Sequence, residues 1–549
     1  MAEGTNVARA SAWMALGTIV SRLTGFGRLL MVAATIGTAL NADLFNNANT
    51  VPNALYILVA GGIFNVVLVP QLVRAMRSHD DGGDAYAQRI ITLGLLVLLA
   101  GTVLLMALVP VLMRAVFDGQ LFDPQFEEQR RSAQLLMWLC MPQVFFYGAF
   151  VLVGQVLNAR GRFGPMMWAP IVNNLVAIAS LAVYLLVHGA TTGTEGFSTG
   201  QALLLGGGAT AGIVLQALVL VPFLRAAGFR YVPRFDFRGV GLGHTLRLGA
   251  WTLGFIVANQ ISFIVVQRLG TRGTLTGASE GTQAAGSAVY EIGHLVSQMP
   301  HGVITVSLAT AIIPTLSAMA HERRYARMTL ELQRTLRVTL VVIAPLAVAV
   351  ACLGGTAAGV LGFIPTLRDS AQVIGWTVAA FAPAMIAFTV HYLVLRGFYA
   401  DEDTRTPFLV QLVIAATNIG AALVLTQLVA PARVAQALAL SYGLAYVVGA
   451  TLSTTLLSRR LGGGLVDAET RRYAVRLTVA LTVTALVMLA AIAALGAAGL
   501  GRTEPVDALV VLLVAGTLGA ATYVLSTRML RMSELRYLLT SLRRRGGAA

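Results

Sequence analysis

Two arginines, Arg22 and Arg28, lie within the first apolar stretch of the sequence, residues 11–37, which contains no aspartate or glutamate. An arginine near the middle of a membrane-spanning helix costs about 2.5 to 3.5 kcal/mol to insert, so such residues face a cavity, a partner or a ligand. A guanidinium suits phosphate, because its planar fork binds two oxygens at once. The stretch therefore predicts an anion from outside the protein as the missing partner.

The two arginines are six residues apart, which places them about 9 Å apart along a helix and about 120° apart around it. They need not share a face. Gly25 and Gly27 lie between them, and glycine permits a bend or a close approach of helices that would bring both guanidinium groups to one cavity. Snorkelling of Arg28 to a membrane interface is the alternative.

The composition indicates the class of protein that must position these arginines. Hydrophobic residues make up 57% of the chain and charged residues 11%, with a mean hydropathy of +0.76. Soluble proteins carry about 25% charged residues. Fourteen apolar runs reach the roughly 20 residues that a helix needs to cross a bilayer. We expect an all-α polytopic membrane protein with about 14 transmembrane helices.

The charge distribution predicts the topology. The net charge is +15, and all 39 basic residues are arginines. Most of them fall in loops on the side of the N-terminus, which by the positive-inside rule places both termini in the cytoplasm. These arginines are explained by topology and by contact with membrane lipids, so we expect no nucleic-acid partner.

An internal repeat organises most of the chain. Landmarks of the first six helices recur at offsets of 242 to 246 residues, with Arg22 matching Arg268, Pro70 matching Pro314 and Pro165 matching Pro407. A repeat of six helices gives two lobes of parallel topology, and transporters built in this way place their substrate between the lobes. The predicted parts are an N-lobe at 1–240, a C-lobe at 241–460, two extra helices at 461–530 and a basic cytoplasmic tail at 531–549.

Polar residues inside two corresponding helices support a transport function. They recur at steps of three or four, which places them along one helix face. The first stripe consists of Asp43, Asn46, Thr50, Asn53 and Tyr56, and the second of Glu291, His294, Gln298, His301 and Thr305. Both lobes would then direct a polar face at one cavity. The alternatives are hydrogen bonds between packed helices and, for Arg22, an ion pair with Asp43 or Glu291.

Several motifs resemble one known family. They are SRLTGFGR (21–28), ADLFNNANTVPN (42–53), FNVVLVPQL (64–72), QMPHGVITVSLATAIIPTLS (298–317) and GFYADEDTRTP (397–407). Together they resemble the MurJ (MviN) lipid II flippases of the multidrug/oligosaccharidyl-lipid/polysaccharide (MOP) exporter superfamily. The resemblance runs over nearly the whole chain, including the two extra helices.

The resemblance implies a transporter of the bacterial cytoplasmic membrane rather than an enzyme. Members of the family move lipid II, an undecaprenyl-pyrophosphate-linked glycopeptide, from the inner to the outer leaflet by alternating access, for cell-wall synthesis. It further implies a cationic cavity for the pyrophosphate-sugar head and a groove at the last two helices for the lipid tail. Implied partners are lipid II, membrane lipids and proteins of cell-wall synthesis or division, with no cofactor and no catalytic residue.

The resemblance carries over to individual positions. The substrate-binding set it implies is Ser21, Arg22, Arg28, Asp43, Asn53, Tyr56, Ser262 and Gln298. Tyr56 stands where many members carry a third cavity arginine, and Leu295 and Gln298 stand where many carry an arginine and a glutamate. The cavity is therefore expected to be less cationic than in those members. More of the phosphate binding should then depend on Arg22 and Arg28, with Arg268 as a compensating charge.

The sequence says little about energy coupling. Some family members use acidic sodium ligands in the C-lobe, but the segment 407–424 contains Asn418 and no carboxylate, so no metal site is predicted. We expect transport to be driven by the membrane potential or by an ion gradient. His294 and His301, with reference pKa values near 6.5, are candidates to titrate in the cycle, with Glu291 one turn away.

Two other classes of function compete with this interpretation. A multidrug or cation antiporter of the MOP superfamily would need a carboxylate deep in a lobe and has little use for two uncompensated arginines, whereas a flippase for another polyprenyl-linked polysaccharide stays an alternative. A polyprenyl-phosphate glycosyltransferase would need acidic residues at a membrane face. The carboxylates cluster instead in loops, as in Asp80/Asp81/Asp84 and Asp401/Glu402/Asp403.

Overall fold

The computed structural model describes residues 2–57, 83–237 and 242–535, with side chains described from residue 16 onwards and, after the second gap, from residue 250. Within these ranges every regular element is helical. Thirteen helical segments of the described chain are long and apolar enough to cross a membrane. The protein is therefore an all-α, multi-pass membrane protein.

The chain divides into two compact units, Met1–Gly281 and Thr282–Ala549. The first contains α1 (Ala2–Ile36), α2 (Leu40–Tyr56), α3 (Asp84–Ala107), α4 (Val109–Val116), α5 (Glu127–Cys140), α6 (Gln143–Ala159), α7 (Gly164–His188), α8 (Thr199–Ala202), α9 (Gly208–Leu218), α10 (Leu220–Ala226) and α11 (Leu242–Glu280). A π-helix, Leu203–Gly207, joins α8 to α9.

The second unit contains α12 (Ser287–Pro300), α13 (Val306–His321), α14 (Tyr325–Gly359), α15 (Ala371–Ala380), α16 (Ala382–Ala400), α17 (Arg405–Gln427), α18 (Val434–Arg460), α19 (Ala468–Ala497) and α20 (Pro505–Met529). A π-helix, His301–Thr305, joins α12 to α13. Proline within or beside these helices accompanies the irregular turns, because it lacks the N–H that an α-helix needs.

The described helices account for thirteen of the fourteen predicted spans. The remaining span, the second, is described only over α2, and its continuation lies outside the described residues together with Pro70, Asp80 and Asp81. The end of the basic tail, from residue 536, also lies outside them. The division into units follows packing and places α11 with the helices before it, whereas the predicted lobes follow the sequence repeat and stay a prediction.

Close packing of α1 against α7 explains one of the glycines near the arginines. A Cβ atom on Gly17 would lie 2.9 Å from Trp168 Nε1, and one on Gly25 would lie 3.5 Å from Asn174 Nδ2. Outside its own turns of α1, no heavy atom of the described chain would lie within 4 Å of a Cβ atom on Gly27. Gly17 therefore serves the close approach of α7, whereas a Cβ on Gly25 would make an ordinary van der Waals contact, and α1 continues past all three glycines as one α-helix.

A second glycine contact holds α14 against α15. A Cβ atom on Gly354 would lie 2.8 Å from the carbonyl oxygen of Gly375, and a Cβ on Gly375 would lie 2.7 Å from the carbonyl oxygen of Gly354. The two backbones therefore touch directly, as small residues permit in membrane helices.

Candidate functional site

Arg22 and Arg28 keep their charge uncompensated in the structure. Both belong to α1, where Arg22 is exposed and Arg28 is half-buried. Neither forms a hydrogen bond or an ion pair with any part of the chain that the structure describes. The alternative that Arg22 pairs with Asp43 or Glu291 is therefore not realised among these residues.

Arg28 lies beside a pair of tyrosines. Its guanidinium is close enough to the Tyr147 hydroxyl of α6 for electrostatic interaction. Tyr147 stacks on Tyr56 of α2, with ring centroids 4.9 Å apart and an angle of 25° between the planes. Arg28, Tyr147 and Tyr56 thus form a cationic and aromatic group contributed by three helices, which we call the Arg28 cluster.

Asn174 connects α7 to the face of α1 that carries Arg28. Its Nδ2 atom lies 3.1 Å from the Ser21 carbonyl oxygen and 3.1 Å from Thr24 Oγ1, and donates to both. Thr24 and Ser21 stand four and seven residues before Arg28, so the three share a helix face. Arg22 points about 120° away from that face. Sequence reasoning missed Asn174, although a pair of asparagines, 173 and 174, within an apolar helix is a usable signal.

Asp43 is part of a buried link between α2 and α11. Its side chain is fully buried, and Thr274 Oγ1 donates a hydrogen bond of 2.7 Å to Asp43 Oδ2. One turn further along α2, Asn47 Nδ2 donates to Thr271 Oγ1 at 2.6 Å. These contacts give Asp43 a positioning role between packed helices. The sequence pattern did not identify Thr271 or Thr274.

We expect Thr274→Val to lower the free energy of unfolding by about 1–3 kcal/mol, because it removes a donor to a buried carboxylate. Asp43→Asn should be milder, since the amide oxygen can still accept from Thr274. Thermal unfolding of the purified protein measures both effects. The control is Thr310→Val, whose exposed hydroxyl bonds only within its own helix. Equal unfolding temperatures for Thr274→Val and the control would contradict the assignment.

Thr50 of the first stripe borders a small apolar pocket within the first unit. The pocket, of about 70 Å³, lies between α2, α4 and α11 and is lined by Asn47, Thr50, Leu112 and Phe263 among others. Asn53 and Tyr56 are half-buried. Gln260 of α11 donates to the Ala54 carbonyl oxygen at 2.8 Å, and Ser262 is only 5% exposed. The Gln260 hydrogen bond therefore holds α11 against α2.

Arg268 contacts the last turn of α4 and the segment that follows it. Its Nη1 donates to the Arg114 carbonyl oxygen at 3.0 Å, and its Nε lies 3.8 Å from Asp118 Oδ2. These contacts partly neutralise the charge of Arg268 within the first unit. Its compensating role in substrate binding stays a prediction.

The second stripe packs into aromatic rings of the second unit. His294 Nε2 and Gln298 Nε2 lie 3.5 and 3.3 Å from the Tyr442 hydroxyl of α18. The His294 ring also stacks on Tyr290 with centroids 6.0 Å apart. His301 Nδ1 lies 3.2 Å from Thr389 Oγ1 of α16. These side chains link α12 and the following π-helix to α16 and α18.

Glu291 of the same stripe is half-buried and has interactions within the protein. Thr305 at the end of the stripe is fully buried. The second stripe therefore makes contacts between helices, which agrees with the alternative that such polar residues bond packed helices to one another.

The acidic loop after α16 is tied to α18. Arg460 Nε lies 2.6 Å from Asp401 Oδ2, and Arg460 Nη1 lies 2.6 Å from Asp403 Oδ2. Asp403 also accepts from the Thr406 backbone N–H at 2.9 Å, at the start of α17. The motif GFYADEDTRTP thus shapes the connection between α16 and α17.

Comparison with solved structures reveals the same fold in known transporters. A lipid II flippase MurJ in an inward closed conformation superposes with a TM-score of 0.70 and 17% identity, covering 94% of this chain and 98% of that one. An inward-facing multidrug resistance MATE family transporter of the MOP superfamily gives a TM-score of 0.61 and 15% identity, covering 80% and 94%. The chain therefore has the fold shared by these transporters.

Comparison of sequences defines the family. A probable lipid II flippase MurJ of Haemophilus influenzae is 26% identical over 473 residues, which is 83% of this chain and 87% of the relative. One of Rhizobium meliloti is 28% identical over 429 residues, covering 76% and 75%. The family model "Lipid II flippase MurJ" matches residues 32–503. Because this match spans most of the sequence, the chain belongs to the lipid II flippase MurJ family.

Proposed function

We propose that this protein translocates lipid II from the inner to the outer leaflet of the bacterial cytoplasmic membrane by alternating access, and so supplies cell-wall synthesis. The observation that carries the proposal is the pair of arginines on α1, which have no ion pair or hydrogen bond within the described residues. A guanidinium left free in this way retains its donors for an external phosphate. The pyrophosphate of lipid II supplies that anion.

The proposed headgroup site has two kinds of member. Arg22 and the Arg28 cluster make direct contact with the pyrophosphate and the sugars, together with Ser21 and Asn53 of the same unit. Asp43 and Ser262 act from behind this surface, because both are buried between helices. Their substitution affects binding through the position of α2 and α11.

Transport of labelled lipid II by reconstituted protein tests the proposal. Flipping above the rate of protein-free vesicles supports it, and rescue of a strain depleted of its own lipid II flippase tests the role in cell-wall growth. The MATE-like fold makes a multidrug or cation antiporter, or a polysaccharide flippase, the alternative. Transport of a cationic dye or of another polyprenyl-linked glycan without lipid II flipping would favour that alternative and refute ours.

We further propose that both termini face the cytoplasm, with membrane lipids and cell-wall synthesis or division proteins as neighbours. The excess of arginine in the loops on the N-terminal side supports this orientation. Reporter fusions at Gly189 and Gly463, which lie in opposite predicted compartments, test it. Identical reporter signals at the two positions would contradict the predicted topology.

For energy coupling, we propose that the membrane potential or an ion gradient drives the cycle and that His294 and His301 titrate within it. The Tyr442 hydroxyl lies within hydrogen-bonding reach of both Gln298 and His294. When His294 gains a proton, its ring nitrogen can only donate, so a hydrogen bond from Tyr442 must reverse. That reversal alters the link between α12 and α18.

We expect His294→Gln combined with His301→Gln to flatten the dependence of the flipping rate on pH, because imidazole is the side chain whose charge changes most readily with pH. Flipping measured at a fixed membrane potential over a series of pH values provides the readout. His321→Gln, at an exposed residue that ends α13, is the matched control and should keep the parent profile. An unchanged profile in the double variant would exclude the histidines from coupling.

A further inference from the structure

A second uncompensated arginine site lies in the second unit. Arg396 stands one turn before the end of α16 at Ala400. Its guanidinium carbon lies 4.0 Å from the centroid of the Tyr392 ring and 5.7 Å from that of Tyr399. Its Nε is buried and has no hydrogen-bond partner in the described part of the chain. Two aromatic rings therefore flank a guanidinium whose donors are not used by the protein.

The nearest acidic residues along the chain do not neutralise Arg396. Asp401 and Asp403 both pair with Arg460. Asp403 is further engaged by Thr406, whose hydroxyl lies 2.6 Å from Asp403 Oδ2. Within the described residues Arg396 forms no ion pair. Asp401 and Asp403 are thus occupied by another arginine, and among the residues that the structure describes the charge of Arg396 remains open to an external anion.

The position of Arg396 in the unit indicates the source of that anion. Asp401 and Asp403 connect the end of α16 to the end of α18, where Arg459 and Arg460 lie. Further arginines of the second unit lie at or near helix ends, namely Arg323 and Arg324 after α13, Arg405 at the start of α17, and Arg471 and Arg472 in the first turns of α19. Such a concentration beside membrane helices is typical of the depth at which anionic lipid headgroups lie.

We propose that Arg396, flanked by Tyr392 and Tyr399, binds the phosphate group of an anionic membrane lipid. The rings stabilise the guanidinium through its faces, which leaves its two Nη groups, neither of them buried as Nε is, for two phosphate oxygens. This site is formed by the second unit alone and is separate from the Arg28 cluster. It does not depend on the proposed transport of lipid II.

Native mass spectrometry of the detergent-purified protein tests the site with phosphatidylglycerol as the probe and phosphatidylcholine as the uncharged comparison. We expect Arg396→Gln to weaken binding of phosphatidylglycerol about tenfold, as loss of a charge-assisted hydrogen-bonding pair does. Arg476→Gln is the matched control, because Arg476 is an exposed arginine of α19. It should leave the affinity of the Arg396 site unchanged.

Two further measurements separate the site from a packing role. Arg396→Lys keeps the charge without the planar fork, so we expect affinity between those of the parent and Arg396→Gln. Thermal unfolding reports whether each variant is folded before lipid is added. Parent-like binding of phosphatidylglycerol by folded Arg396→Gln would overturn the proposal and leave Arg396 as a packing residue of Tyr392. Equal stabilisation of the parent by inorganic phosphate alone would overturn the assignment to a lipid.

Discussion

Reconstituted protein carrying Arg28→Gln is expected to flip lipid II about tenfold more slowly than the parent or worse, because one charge-assisted hydrogen bond contributes about 1.5–3 kcal/mol and each 1.4 kcal/mol corresponds to a factor of ten. Arg28 forms no hydrogen bond or ion pair with the described residues, so its loss should affect the substrate more than the fold. Arg22→Gln should have a similar effect on transport.

Three comparisons make this prediction specific. Arg28→Lys should recover part of the rate, since it restores the charge without the bidentate fork. Tyr147→Phe keeps the stacked ring beside Tyr56 and removes the hydroxyl near Arg28, so a smaller loss is expected. Arg225→Gln, at an exposed position of α10 in the same unit, should transport normally. If Arg28→Gln transports normally but unfolds at a lower temperature, Arg28 is a structural residue and the proposed phosphate contact is wrong.

Gly354→Ala is expected to lower the free energy of unfolding by about 1–3 kcal/mol, the usual cost of overpacking a close contact. The new Cβ would lie 2.8 Å from the Gly375 carbonyl oxygen, and backbone atoms at a helix crossing cannot move aside separately. Gly354→Leu should prevent the close approach of α14 and α15 altogether. Thermal unfolding and the yield of monodisperse protein measure the two effects.

The next residue provides the control. Outside its own turns of α14, no heavy atom of the described chain would lie within 4 Å of a Cβ atom on Gly355. Gly355→Ala should therefore be neutral or stabilising by about 0.5–1 kcal/mol, since alanine loses less backbone entropy than glycine in a helix. Equal destabilisation by Gly354→Ala and Gly355→Ala would mean that the glycines matter for helix flexibility and not for contact.

The position of each helix was largely predictable from hydropathy. A span of about 20 apolar residues is a local property of the chain, and the low charge content leaves few ways to misplace one. The isolation of Arg22 and Arg28 was also visible, because no acidic residue occurs in their own stretch. The polar stripes of α2 and α12 followed from helical periodicity alone.

The partners of those polar residues could not be predicted. Asp43 accepts from Thr274, 231 residues away, and His301 contacts Thr389, 88 residues away. Periodicity identifies a polar face but does not say whether that face meets water, a ligand or another helix. Only the packed structure therefore shows that Arg28 is available to a ligand, whereas Asp43 is held between α2 and α11.

The sequence by itself determined the membrane class, the apolar helices and the two arginines that need an anion, because all three depend on composition and spacing within single segments. Only the tertiary structure decided which charges are neutralised. Arg460 takes both Asp401 and Asp403, so Arg396 is left without them although it is closer in sequence. Such choices depend on how helices distant in the chain pack, since an ion pair forms between neighbours in space.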